Sequence, residues 1–172
     1  LKMIEEPQSE VYIFLLTSDE NLILPTIKSR TQVFHFPKNE DYLVAKLEES
    51  GLLKDQAQFL AAYSQTLEEA RNLQTSKSFF DVTQVCQRFV DLCLAKNDLA
   101  FLQAAKLSSL ADDKEKQDQI FRILEILFSQ HIEKESGRTS LDRLFQSRKM
   151  WRANVSFQNV LEYMIIQPAK RS

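Results

Sequence analysis

From Asn39 to Ile166 the apolar side chains recur at intervals of three and four residues, a spacing that confines this stretch to α-helices with one buried face each. Asn39 can cap a helix carrying Leu43, Val44 and Leu47 on one face and stopped by Gly51. A second helix is expected from Asp55 to about Tyr63. Thr66-Leu67-Glu68-Glu69 has the capping-box form, Thr66 with Glu69 three residues on, and opens a third short helix through Leu73. The polar stretch from Gln74 to Ser78 reads as a linker. Beyond it, Phe79 to Lys96 repeats Phe79, Val82, Val85/Cys86, Phe89/Val90 and Cys93, and Asp98 begins a helix through Leu110. Asp112 with Glu115 is expected to cap a helix running to about Glu135, where Ser136-Gly137 breaks it. Ser140 to Ala153 and Val155 to Ile166 complete the set before Pro168. Residues 77–167 thus read as an antiparallel bundle of about five helices.

The first 37 residues carry another pattern. Val11 to Leu16 is a continuous apolar run, as in a strand covered on both faces of a parallel sheet. Asn21 to Ser29 suits a short helix, delayed or kinked by Pro25. Thr31 to Phe36 alternates as a second strand, ended by Pro37. Strand, helix, strand is a βαβ unit, which normally sits in a larger parallel sheet, since two strands cannot bury such a run alone. Most of that sheet is expected to lie outside this sequence, and an opening on Leu1 rather than Met reads as a start within a longer protein. The expected fold is therefore mainly α: the remnant of a parallel α/β core over 1–37, a small three-helix subdomain over 38–76, and a helical bundle over 77–172.

Composition narrows the chemistry. Gly51 and Gly137 are the two glycines in 172 residues, against roughly 7% in an average protein. Neither G-x-x-x-x-G-K-[ST] nor G-x-G-x-x-G can be written, so the chain holds no phosphate-cradling loop of its own. His35 and His131 stand apart from each other and from any partner at metal-ligand spacing. Adjacent acidic pairs such as Glu48-Glu49 and Asp112-Asp113 point to different sides of a helix and read as caps and solvated faces. Cys86 and Cys93 lie about 10 Å apart along a helix axis, too far for a disulfide, which suits buried thiols in a reducing cytoplasm. No apolar run approaches the ~20 residues needed to cross a bilayer. Residues 138–172 carry 7 basic and 2 acidic groups on an otherwise acidic chain of net charge −2, which raises direct nucleic-acid contact by residues 138–152 as one reading. An active site contained within these residues is not expected.

Three motifs fall in order in the opening segment: Leu1-Lys2-Met3-Ile4-Glu5-Glu6-Pro7, then Val11 to Leu16 ending on Thr17, then Leu24-Pro25-Thr26-Ile27-Lys28-Ser29-Arg30-Thr31. Together they resemble the clamp-loader family of AAA+ proteins, where the pattern reads L-K-x-x-E-E-P, a buried strand ending in a polar sensor, and L-P-T-I-x-S-R-C. The resemblance implies that Thr17 stands at the sensor-1 position. It also implies that Arg30, with Ser29, is a finger reaching in trans toward ATP held by the adjacent subunit, with Thr31 in place of the family's Cys. The family's lid motif, G-S-x-R-x-A-L, falls on Gln65 to Arg71, so Gln65 replaces the glycine and Glu68 the second sensor arginine. A carboxylate there repels phosphate, and a retained Arg30 beside a lost ATP site resembles the delta-prime type of bacterial DNA polymerase III subunit. Asn154-Val155-Ser156 with Leu161-Glu162 is similar to the family's closing N-V-N-x-x-x-x-L-E helix.

The resemblance implies an AAA+ core end over 1–37, a lid over 38–76 and a collar over 77–172. No metal or cofactor is expected in this chain. The implied partners are other clamp-loader subunits (gamma/tau and delta) through the collar, with the sliding clamp and primer-template DNA met through the assembled complex. Such a subunit is a non-catalytic part of a nucleotidyltransferase holoenzyme, the DNA-directed DNA polymerase. Two other readings are a gamma/tau-type ATPase with a phosphate loop upstream, which Glu68 opposes, and a helical protein-interaction module outside replication.

Overall fold

The computed structural model describes residues 12–17 and 20–166. They fall into two units, one ending at Lys38 and the other beginning at Asn39.

In the first unit Glu20–Leu22 makes a single 3-10 turn and Pro25–Lys28 a four-residue helix, α1. The longer helix expected from Asn21 to Ser29 is thus cut to its second half. Pro25 has no N–H to give and is accepted only in a first turn, so α1 starts there. Neither Tyr12 to Leu16 nor Thr31 to Phe36 forms a strand, and Val11 lies outside the described residues. The expected βαβ unit is therefore absent among the described residues, and the α/β part of the expected fold is corrected to extended chain and one helical turn. The physical reason is that a strand exists through its ladder to a neighbour. With no neighbouring strand among the described residues, the apolar run stays open to solvent, Phe14 at 86% and Leu16 at 92% exposure.

The second unit is helical throughout: α2 (Glu40–Glu49), α3 (Lys54–Tyr63), α4 (Leu67–Gln74), α5 (Lys77–Leu94), α6 (Ala100–Leu110), α7 (Lys114–Ser129), α8 (Glu135–Arg152) and α9 (Phe157–Ile165). Three short helices precede Thr75-Ser76 and five more follow, as the periodicity predicts. Asn39 Oδ1 accepts the Tyr42 N–H at 2.9 Å and opens α2, while Gly51 closes it at φ +95°, a left-handed conformation natural to glycine. The expected linker shrinks to Thr75-Ser76, because Ser76 is already the cap of α5 through the Phe79 N–H. The cap of α7 is Asp113 rather than Asp112, accepting from Lys116 N–H at 2.7 Å, while Asp112 pairs with the Lys116 ammonium. At the start of α6, Asn97 Oδ1 takes the Leu99 N–H, so the helix opens at Ala100 rather than Asp98.

The largest departure concerns Ser136-Gly137. α7 ends at Ser129, and these two residues lie inside the first turn of α8 instead of breaking a helix. A Cβ on Gly137 would overlap the His131 carbonyl, so glycine allows the start of α8 to fold back tightly on the turn after α7. This glycine serves a close approach, not a chain reversal.

The core runs without interruption from Leu43 on α2 to Met164 on α9. α5 supplies Phe79, Val85, Cys86, Phe89 and Val90, and α7 supplies Ile120, Phe121, Ile123, Leu124, Leu127 and Phe128. α6 buries Ala100, Ala104 and Leu107, mostly small side chains that let it pack closely on α5 and α9. Where α8 crosses α9, Ser147 Oγ donates to Val160 O at 2.8 Å, which satisfies a fully buried hydroxyl.

Candidate functional site

α1 is one turn long, so its carbonyls are reached by donors from beyond its own end. Pro25 O accepts the Ser29 N–H and Ile27 O the Arg30 N–H, both at 3.0 Å. The Arg30 amide therefore reaches back three residues instead of four, and Thr26 O is taken by side chains. Ser29 Oγ donates to it at 3.1 Å and Arg30 Nη1 at 2.9 Å, with Nη1 also 3.4 Å from Ser29 Oγ. Thr31 Oγ1 donates to Ile27 O at 3.0 Å. All three residues of the turn thus tie themselves to α1. Ser29 and Arg30 are exposed, and a planar guanidinium with five donors matches phosphate or carboxylate oxygens. Nearby, Lys28 Nζ lies 3.5 Å and His35 Nε2 4.0 Å from the same Glu20 carboxylate. Thr17 is exposed on the extended residues 12–17. The structure brings Ser29 and Arg30 together; Glu68 belongs to the second unit.

Glu68 lies exposed in the first turn of α4 beside Glu69. The capping box closes there: Thr66 Oγ1 accepts the Glu69 N–H at 3.1 Å, and Glu69 Oε2 accepts the Gln65 N–H at 2.8 Å. Two carboxylates complement the positive end of the helix dipole. They also occupy the one place on α4 where an anion could be held by backbone donors, so this helix end repels phosphate.

Sequence reasoning did not single out Arg122. Its guanidinium carbon stands 4.4 Å from the centroid of the Tyr63 ring, and Nη2 donates to Tyr63 O at 2.9 Å. Arg122 therefore ties the end of α3 to α7, with Phe79 edge-on to Tyr63 at 5.0 Å behind it. Burial pushes the Tyr63 phenol above its ordinary value, against the opposing pull of Arg122. No sequence signal marks this pair, 59 residues apart on two different helices. The cleft of about 510 Å³ beside it is lined by both signs of charge, Asp113, Glu115 and Asp118 against Lys116 and Arg122, and so focuses no single field.

The basic stretch is partly neutralised from within. Arg138 donates to Ile132 O and Glu133 O, Arg143 to Met164 O, and Arg148 to Asp118 at 2.6 Å and Glu125 at 3.2 Å. Trp151 is held by Gln117 at 2.7 Å and packs on Phe121. Three of the five cations between 138 and 152 are thus engaged by the chain itself, Arg148 by opposite charge and Arg138 and Arg143 by backbone carbonyls. Cys86 is buried and Cys93 half-buried, both unpaired, as their spacing predicts. Burial raises both thiols, Cys93 to about 12, so neither is a ready nucleophile. His131 lies in the turn after α7, not late in a long helix as expected, and His35 is exposed on extended chain. Among the described residues no group of three His, Cys, Asp or Glu could hold a metal, and no helix is long and apolar enough to cross a membrane.

What the described residues define is a helical unit and, in the unit before it in sequence, an arginine-bearing turn. Residues 1–40 match the family described as DNA polymerase III, delta subunit. The matched segment contains all three motifs that resemble the clamp-loader family, and it is less than a quarter of the chain. Neither a curated protein nor a solved structure matches the chain.

Proposed function

We propose that this chain is the C-terminal portion of a delta-prime-type clamp-loader subunit, a non-ATPase component that completes a neighbour's ATP site with Arg30. The observation that carries the reading is Leu24-Pro25-Thr26-Ile27-Lys28-Ser29-Arg30 inside the segment matched to a DNA polymerase III subunit family. The delta-prime assignment is supported by Gln65, where the lid motif has glycine, and by Glu68, a carboxylate where an ATP-binding subunit needs a cation. In this reading residues 1–37 end an AAA+ core, 38–76 form the lid and 77–172 the collar. The partners are gamma/tau-type and delta-type subunits, and the clamp and primer-template DNA are met through the assembly.

An arginine completing a phosphoryl-transfer site stabilises charge on the transferring group and is worth on the order of 10³ to 10⁵ in rate where it has been isolated. Arg30 is exposed at the end of a one-turn helix, so Arg30→Ala is expected to fold and assemble normally. In the clamp loader reconstituted with the whole subunit, turnover at the neighbouring site should fall at least about tenfold. Unchanged DNA-stimulated ATPase would refute the finger. An intact G-x-x-x-x-G-K-[ST] upstream of Leu1 would refute the delta-prime assignment in favour of a gamma/tau-type ATPase.

A further inference from the structure

Five of the chain's fifteen glutamines line one groove of about 520 Å³ between α3 and α5. α5 presents Phe80, Thr83, Gln84 and Gln87 to it, spaced i, i+3, i+4 and i+7, so the four share one stripe of the helix. α3 contributes Gln56, Gln58 and Phe59 from its first half, and the end of α7 with the residue after it adds Leu127 and Gln130. Phe59 and Leu127 are buried and Phe80 half-buried, which gives the groove an apolar surface to cover. Gln87 Nε2 is spent on Asp91 at 3.0 Å and Thr83 Oγ1 on Phe79 O at 2.8 Å. The carboxamides of Gln56, Gln58, Gln84 and Gln130, by contrast, make no hydrogen bond to other described residues. Among the described residues lining the groove Asp55 alone is charged, and its carboxylate is in no ion pair with any of them.

Each carboxamide offers two N–H donors and an acceptor oxygen, the complement of a backbone whose own N–H and C=O groups are unpaired. A helical ligand has spent those groups internally, whereas an extended one presents them along both edges. The α5 stripe from Phe80 to Gln87 is about 10 Å long, the span of about three extended residues. A nucleic-acid backbone is a poor match, since phosphate needs cations and the charge at this groove is a carboxylate. We infer that the groove is a docking site for an extended peptide segment of a protein partner. Gln56, Gln58, Gln84 and Gln130 hold its main chain, Phe59 and Phe80 take a bulky apolar side chain, and Asp55 pairs with a lysine or arginine. Main-chain contacts supply affinity and accept any sequence, so the aromatic pair and Asp55 set the preference. The inference does not depend on the role of Arg30.

The test titrates the whole chain with the capped peptide acetyl-Ala-Leu-Ala-Lys-Ala-amide, read by nitrogen–proton correlation NMR of backbone amides and glutamine side-chain NH2 groups. Saturable shifts confined to the groove are expected, with a Kd of about 1 mM for so short a probe. Gln58→Ala and Gln84→Ala, both at exposed positions, should each weaken binding about threefold, the loss of one neutral hydrogen bond. Asp55→Asn should weaken it about threefold as well, yet leave unaltered the binding of a probe whose lysine is exchanged for glutamine. Methylating the probe's backbone nitrogens should weaken it at least about tenfold. Shifts that stay linear to about ten times the expected Kd, or that spread over the surface, overturn the site. Equal binding of the methylated probe, or Gln58→Ala and Gln84→Ala binding as the parent does, overturns main-chain recognition. Single-stranded oligothymidylate shifting the same residues at lower concentration than the peptide assigns the groove to nucleic acid and overturns the peptide reading.

Discussion

Replacing Gly137 by alanine sets two principles against each other. On propensity alone the change favours the protein, because glycine within a helix is worse than alanine by up to about 1 kcal/mol. Gly137 is buried in the first turn of α8, however, and the added Cβ would overlap the oxygen and carbon of the His131 carbonyl. Those are backbone atoms in the turn after α7, and that carbonyl already accepts the Lys134 N–H at 3.0 Å. They cannot swing aside as a side-chain tip would. Forcing a methyl into packed backbone costs about 1–3 kcal/mol, and shifting the turn weakens a hydrogen bond worth about 1 kcal/mol. The net expectation is a loss of about 2 kcal/mol, or a Tm lower by about 4–8 °C for a chain of this size. Thermal and urea unfolding of the whole chain followed by circular dichroism at 222 nm reads this directly. Gly51→Ala is the companion, since nothing lies within 4 Å of its Cβ position. Its penalty comes only from φ +95° and should be about 1–2 kcal/mol. If Gly137→Ala proves as stable as the parent or more so, the tight return of α8 on His131 is wrong and propensity alone governs this turn.

Arg122→Leu keeps much of the side chain's apolar bulk but leaves Tyr63 O without its charged donor and the ring without its cation. It should cost about 2–3 kcal/mol in urea unfolding, and Arg122→Lys about half as much because the charge survives without the fork. Both variants unfolding at the parental midpoint would show that α3 and α7 are joined by apolar packing alone. The raised thiol of Cys93 carries its own pH signature. A folded value of about 12 against an ordinary 9.0 means its neutral form contributes fully below pH 9, and that contribution is lost as pH climbs from 9 toward 12. Cys93→Ala should therefore lose less stability than the parent between pH 8 and 11, and equal losses on thermal unfolding would contradict the burial argument. At neutral pH both thiols should react with a disulfide reagent only after denaturation.

Much of the helical unit was legible because its signals are local. Asn39 and Thr66 accept backbone amides three residues on, and Gly51 adopts a positive φ, all from contacts within one turn. The misreadings come where a residue's role is set by something distant. Gly137 looks like a helix breaker until His131 is placed against it, and Arg122 looks like a solvated cation until Tyr63 arrives beneath it. Arg148 joins a basic stretch in sequence but Asp118 and Glu125 in space, so charge counted along the chain misstated the charge presented by the surface. The apolar runs of the first unit fail for the same reason in reverse: a strand is a relation between segments, and the period of Tyr12 to Leu16 describes a partner as much as the run itself. The arginine of the candidate site is legible from the motif around it, yet its fold-back onto Thr26 is not. That depends on the Arg30 amide shortening its step by one residue, a detail that no spacing rule encodes. A motif therefore singles out Arg30 along the chain, while the hydrogen bonds of the turn decide the pose its side chain takes.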